Sequence, residues 1–455
     1  MRLANSILLK RKRTGAAHVV LGLSLLAMAS GAGAQSNSPY SRYGVGDLTP
    51  SNNVVNRSMG GTSAADAPFL NINFNNPASY SGFQAFLENR SKKMQSGRVI
   101  LDAGVNLESR TIREPNQAAK FSATDLYFSY LQIGIPLRRG WGLAFGLRPL
   151  SRIAYKVQQA KRLTGIDSSL SEFEGSGGSW LPSIGTGYAI KDLSIGVNVG
   201  YLFGRRETST TLGLLNDTVL YYNAVNRMSS SYGGLFANAG AQYTFYLDSL
   251  RQTYLRVGVT GNMKRTFKAS QDLDVSTFDG DPNAAVDTVY TVKGMKGEVI
   301  HPSSITVGVQ AGSSNPETGR TWQLAADVSH TKWSEYRFFG SADAVQNTTT
   351  FHVGGSYRPV YNQRAYFSAV TYRAGFWAGQ DYVTAGGKLP SWGASFGLGL
   401  PIANYARQTQ QFTLLNLGLE YNKRGNNSNV LKENTFRFSV GFNFSDLWFN
   451  KRKYD

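Results

Sequence analysis

From Thr435 to Phe444 apolar and polar residues alternate without a break. Phe436, Phe438, Val440, Phe442 and Phe444 share one face, and Arg437, Ser439, Gly441 and Asn443 share the other. Side chains of a strand alternate across it, so this is a ribbon with one apolar and one polar face. Arginine and asparagine do not suit a dry sandwich core; they suit a barrel wall with lipid outside and water inside. From Arg98 onward the pattern recurs, predicting strands near 98–109, 124–136, 141–155, 178–190, 193–204, 232–247, 254–265, 299–312, 321–331, 349–359, 365–375, 391–401, 411–423 and 433–444. That is fourteen, an even count of the kind bacterial single-chain barrels show. The expected fold class is therefore all-β, a transmembrane antiparallel β-barrel of about fourteen strands.

The connections alternate in length. Brief ones follow even-numbered strands: Leu137 to Gly140, Lys191-Asp192, Asp248 to Thr253, Ser313 to Arg320 and Val360 to Arg364. Longer stretches follow odd-numbered strands, including 156–177, 205–231 and 266–298. Outer-membrane barrels have short periplasmic turns and long outer loops, which places both chain ends in the periplasm. A propeller also has many short strands, but no blade motif repeats here. Trp141, Trp180, Trp322, Trp333, Trp377, Trp392 and Trp448 fall near strand ends, as interfacial girdles require.

The first 34 residues read as a cleavable secretory signal: Arg2 and Lys10 to Arg13, an apolar run of eleven over 19–29, then Ala32-Gly33-Ala34. No later segment approaches 18 unbroken apolar residues, so helical spans are not expected. There is no cysteine, hence no disulfide framework, thiolate site or cysteine nucleophile. Of the +18 net charge the leader holds five basic residues and no acid, which leaves +13 scattered through strands and turns. With no concentrated stripe, this fits lumen, loop tips and anionic lipid headgroups, including lipopolysaccharide, and not nucleic acid.

Residues 35–57 look like an irregular lead. Beyond them Gly60 and Gly61 permit unusual backbone angles, and Asn71, Asn73, Asn75 and Asn76 are suited to bonding backbone where no ladder exists. Met59-Gly60-Gly61-Thr62 followed by Asn76-Pro77-Ala78, the run His301 to Gly308, Trp322 to Asp327 with Trp333-Ser334, and the ending Trp448 to Asp455 together resemble the long-chain fatty-acid transporter family (FadL/TodX type, OMPP1-like), in its Bacteroidota branch. The resemblance covers nearly the whole chain after the leader. It implies a hatch within 35–97 that plugs a barrel formed by 98–455. It also implies passive uptake of a hydrophobic, fatty-acid-like small molecule through the outer membrane of a Gram-negative bacterium.

On that reading the ligand path runs over Met59, Gly60, Gly61, Phe69, Leu70, Ile72, Phe74, Asn76, Pro77 and Ala78. In that family a lateral gap lies at a kinked third strand. The third strand here contains Arg148-Pro149, and proline lacks the ladder N–H, so an opening is expected there. A closed bulge is the alternative. The chain departs from many barrels in carrying eleven residues after Phe444.

No cofactor is expected and no enzyme motif stands out. His18, His301, His330 and His352 lack ligand spacing, no Gly-x-Ser-x-Gly elbow occurs, and Asp279-Gly280-Asp281 reads as a turn. The competing reading is a related barrel that serves as adaptor or partner subunit of an outer-membrane complex such as type IX secretion. An apolar tunnel broken only by 59–78 favours uptake; a sealed lumen with apolar loop surface favours the partner role.

Overall fold

The computed structural model describes residues 38–449 apart from 89–93, 116, 164–165, 216–220, 249, 251, 363, 385 and 403–411. The expected signal and the last residues of the basic tail lie outside the described residues.

The wall is a closed antiparallel barrel of fourteen strands. They are β1 (Met94–Arg113), β2 (Lys120–Arg138), β3 (Trp141–Leu163), β4 (Ile166–Ile190), β5 (Leu193–Leu215), β6 (Asn223–Tyr246) and β7 (Thr253–Asn262 continued by Arg265–Phe278). After these come β8 (Ala285–His301 continued by Ser304–Ser314), β9 (Thr321–Thr331), β10 (Thr348–Arg358), β11 (Thr371–Gln380), β12 (Pro390–Pro401), β13 (Phe412–Arg424) and β14 (Lys432–Trp448). Pairing of β14 with β1, from Lys432–Arg113 to Trp448–Gly97, closes the ring. All fourteen segments expected from alternation are strands. In β14 Phe436, Phe438, Phe442 and Phe444 face outward and are exposed, while Ser439, Gly441 and Asn443 are buried inside. An apolar outer band around such a ring belongs in an outer membrane.

Three expectations need correction. The stretches 156–177, 205–231 and 266–298 are largely strand, not loop. About 9–11 residues cross a bilayer, whereas β4 has 25 and β6 has 24. Ladders such as Lys156–Glu174 and Thr208–Met228 simply continue past the lipid band. Their Ser- and Thr-rich sequence pairs well without a lipid-facing pattern, so β3 to β8 rise as a sheet above one half of the rim. Next, β11 begins at Thr371 rather than 365, because Tyr366–Ser368 form a 3-10 turn. Finally, β14 runs on to Trp448, four residues beyond Phe444.

Trp333 also departs from the girdle. It is 4% exposed and turns into the lumen with Tyr336 and Tyr382, the Trp333 and Tyr382 rings 4.4 Å apart. Together with Tyr40, Phe236, Phe267 and Val299 these rings build an apolar cluster inside the long-strand half of the barrel.

Candidate functional site

Residues 38–88 fold inside the barrel as a plug. Its regular pieces are short: a helix at Val54–Arg57 and 3-10 turns at Pro39–Arg42 and Pro77–Gly82. Asparagines replace a ladder. Asn53 Oδ1 accepts from Asn56 N at 2.8 Å and caps the helix. Asn56, Asn73 and Asn76 donate to the carbonyls of Thr62, Ser63 and Ala64. Gly60 and Gly61 sit at φ +69° and +87°, which permits the tight exit from the helix.

The wall is shaped to this backbone. Every strand except β1 and β9 places an inward glycine against the plug. A Cβ at Gly142, Gly258 or Gly354 would lie 2.1, 1.9 or 2.1 Å from the carbonyl oxygens of Tyr80, Ala64 and Met59. At Gly375 it would lie 2.0 Å from Gly60 N, and at Gly187 2.4 Å from Pro77 O. The two strands without such a glycine supply an aspartate. Asp102 on β1 accepts from Ile72 N at 3.1 Å, and Asp327 on β9 accepts from Ser63 N and Ala64 N at 2.7 and 2.8 Å. A glycine belt with two carboxylate anchors seats the plug around the full circumference.

A buried ion lattice ties one side further. Arg57 of the plug meets Glu420 at 3.4 Å; Arg437 joins Glu420 and Glu108, each at 2.8 Å; Arg110 joins Glu108, Glu433 and Asp47. Arg424 bonds Asp47 and Asp381 at 2.9 and 2.8 Å. Burial works against the charge on Asp47, yet Arg110 and Arg424 hold its carboxyl below the ordinary range. Among the described residues Asp66 is in no ion pair, and Arg256 and Arg373 act on it only from further away. Burial raises it above its ordinary value, against hydrogen bonds from Asn56 and Gln310.

The plug divides the lumen in two. Above it lies a cavity of about 560 Å³, charged on the Asp47, Arg110 and Glu433 side and aromatic on the Phe236, Phe267 and Trp333 side. Below, toward the short turns, lies a cavity of about 530 Å³ bounded by Met59 and by 66–71.

The residues singled out in the sequence fall into this frame. Met59, Ile72, Phe74, Asn76, Pro77 and Ala78 are buried. Gly60 bonds Ser395 and His352, and Gly61 accepts from Asn52. Phe69, 46% exposed, and Leu70 face the lower cavity. Arg148 lies over the Phe74 ring at 5.0 Å and donates to Ser51 O at 2.9 Å. The carbonyl of Pro149 accepts from Thr49 Oγ1 at 2.7 Å.

Near Arg148 the wall changes. The β2–β3 ladder stops at Leu131–Leu147; beyond it, Asp47 and Leu48 pair with Arg152 and Ser151 on the free edge of β3. Side chains bridge the seam: Arg152 to Asp125 at 2.8 Å, Arg152 over the Tyr127 ring at 3.8 Å, and Phe128 stacked on Trp180. In the same region Ser38 N donates to Ala154 O at 2.9 Å.

Sequence reasoning missed the lattice, the glycine belt and the seam strand. The signal for the belt was present, since inward glycines alternate with outward apolar residues.

The profile of the BamG family matches residues 15–455. The chain belongs to the BamG family. This BamG-family barrel also superposes on a Pseudomonas aeruginosa FadL homologue, at 14% identity and TM-score 0.51, over 89% of this chain and 100% of that one. It superposes likewise on the Pseudomonas putida toluene transporter TodX, at 16% identity and TM-score 0.50, over 90% and 100%. At these identities the likeness establishes the FadL/TodX-type fold. Curated protein sequences give no match.

Proposed function

We propose that this BamG-family barrel is a closed partner subunit of an outer-membrane protein complex, the BAM assembly to which the family's name points. The observation that carries this is the seating of the plug: a glycine belt, two carboxylate anchors and a buried lattice. Withdrawing Arg57 takes a buried cation out of the lattice and leaves Glu420 with Arg437 alone; breaking a buried pair costs up to about 3–5 kcal/mol. The aromatic cluster roofs the upper cavity. The raised half of the rim ends in Ala285–His301, whose outer part is exposed, with Val286, Val289 and Tyr290 on it. Such an edge suits a protein neighbour. Lipid covers the outer band, and lipopolysaccharide meets the raised sheet. Affinity isolation from native membranes tests the reading. A protein partner at fixed stoichiometry, lost in Val289→Lys with Tyr290→Lys, is expected; a barrel recovered alone would overturn it.

The second reading is uptake of a hydrophobic compound, and the seam beside Arg148 and Pro149 favours it. TodX is a toluene transporter of the same fold. On this reading Phe69, Leu70, Ile72, Phe74 and 76–78 border the path, and Leu48, 47% exposed, occupies the exit. Toluene entry into proteoliposomes, abolished when the seam strand is fixed to β3, is the expected result.

A further inference from the structure

Past the lipid band the two faces of the raised sheet exchange character. On β5 the outward side chains run Val197, Val199, Tyr201 and Phe203, then turn to Arg205, Glu207 and Ser209. Cross-strand partners share a face, so the registers carry this assignment from β3 to β8. The outward face neutralises its own charges. Lys156 pairs with Glu172 and Glu174, Arg205 pairs with Glu207, and Lys268 stands opposite Glu298. The inward face of the same strands carries Met228, Leu273, Val275, Tyr290, Val292 and Met295, one apolar patch on the neighbouring strands β6, β7 and β8.

The foot of this face is sealed. Phe339 N donates to Glu298 O at 2.9 Å, and the Phe339 ring fills the space over Gly297. Higher up, Met295 and Tyr290 are 43% and 54% exposed. Two cations stand beside the patch. Arg206 pairs with Ser230, one inward row below Met228. It lies over the Phe338 ring at 5.0 Å and donates to Arg42 O at 3.1 Å, while Arg42 lies over the Phe173 ring at 4.6 Å. Neither guanidinium is in an ion pair among the described residues. In the inward rows from Gln271 to Thr277 the described residues include one carboxylate, Asp287, in the row farthest from the plug.

An apolar patch left open beyond the membrane marks a binding surface, and arginines stacked on rings suit a carboxylate at their N–H edges. We propose that this inner face is the docking surface for an acidic, apolar polypeptide segment of the partner subunit. Its apolar side chains cover Met228, Leu273, Val275 and Tyr290, and a carboxylate meets Arg42 and Arg206. The inference rests on the partner role proposed above and adds the face and the chemistry of the neighbour. Lipopolysaccharide fits less well, because its acyl chains stay in the leaflet and the charged outward face stands between that leaflet and the patch.

Photo-crosslinking in native membranes tests this on the full chain. p-Benzoylphenylalanine replaces Val292, which faces inward opposite Leu273, or Thr291, its outward neighbour opposite Asp274. The probe at 292 is expected to capture the protein that copurifies with the barrel at fixed stoichiometry, about tenfold more than the probe at 291. Arg42→Glu with Arg206→Glu is expected to cut that capture about tenfold, as reversal of an interface charge should. Arg42→Lys with Arg206→Lys should keep most of it, both pairs in barrels that still shift on heating in gels. Equal capture at 291 and 292, capture untouched by the glutamate pair, or an adduct at 292 that holds lipopolysaccharide and no protein overturns the site. A partner at fixed stoichiometry with no adduct at 292 overturns the site and leaves the partner role standing; a barrel recovered alone overturns the role itself.

Discussion

The Met59–Gly60 peptide is where the glycine belt is tightest, and adding two methyl groups there tests whether the belt seats the plug. A Cβ at position 354 falls 2.1 Å from Met59 O and 2.5 Å from its carbonyl carbon; one at 375 falls 2.0 Å from Gly60 N. All three are backbone atoms, so no rotamer change relieves the overlap. The plug segment has to move, and moving it breaks the bond from Gly60 N to Ser395 at 3.0 Å and the contact of Gly60 O with His352 at 2.7 Å. Two hydrogen bonds at about 1 kcal/mol each, added to overpacking of about 1–3 kcal/mol at each of the two sites, destabilise the seat by roughly 4–8 kcal/mol. Gly354→Ala with Gly375→Ala should therefore leave a folded barrel with a loosened plug. Trypsin reads the loosening at Arg57, 5% exposed in the native protein, and planar bilayers read it as conductance. Gly355→Ala is the control, since its Cβ approaches the wall's own Gln323 and Leu324 rather than the plug. A folded double variant that keeps Arg57 protected and conducts no ions would refute the seating argument.

Further outcomes follow from the same contacts. Asp327→Ala strands two buried amides at about 1–3 kcal/mol each, so hydrogen exchange at Ser63 and Ala64 should rise sharply, and less in Asp327→Asn. Because the chain has no cysteine, Leu48→Cys with Ser151→Cys gives a clean pair at register partners; a disulfide should form under mild oxidation without loss of the barrel, and failure to form would mean that Asp47 and Leu48 leave β3 in the membrane. Burial raises the Asp66 carboxyl above the unfolded value of about 3.9. The folded state then holds the proton more tightly, so this group's contribution to stability falls as pH rises from the unfolded to the folded value and is constant above it. Asp66→Asn should flatten that part of the thermal-midpoint profile above about pH 4, and an unchanged slope would show the carboxyl to be ordinary.

The barrel was legible because lipid on one face and polar lumen on the other force a strict period of two, and all fourteen strands carry it. Beyond the bilayer that constraint lapses. The residues 156–177, 205–231 and 266–298 mix apolar residues among many polar ones without the strict outward-apolar alternation, so their composition read as loop although their ladders continue. Inward tryptophans misled in the same way: Trp333 lies near a strand end in sequence, and only the fold of 332–347 into the lumen buries it. The lattice joins residues as distant as Asp47, Arg110 and Arg424, and no local pattern announces such pairs, although Arg437 was already visible as an inward charge. Asp47 and Leu48 belonged to a lead that looked irregular because two residues are too few to show alternation. The family resemblance pointed to the FadL/TodX-type fold, which the comparisons establish.

The most direct test of the closed-partner account is native mass spectrometry of the protein isolated from its own membranes in a mild detergent, with conductance measured on the same sample. The account predicts an assembly of fixed composition containing at least one other outer-membrane protein, and no conductance through this barrel. A lone barrel that conducts, or that passes toluene into vesicles unless the seam strand is cross-linked to β3, would contradict it.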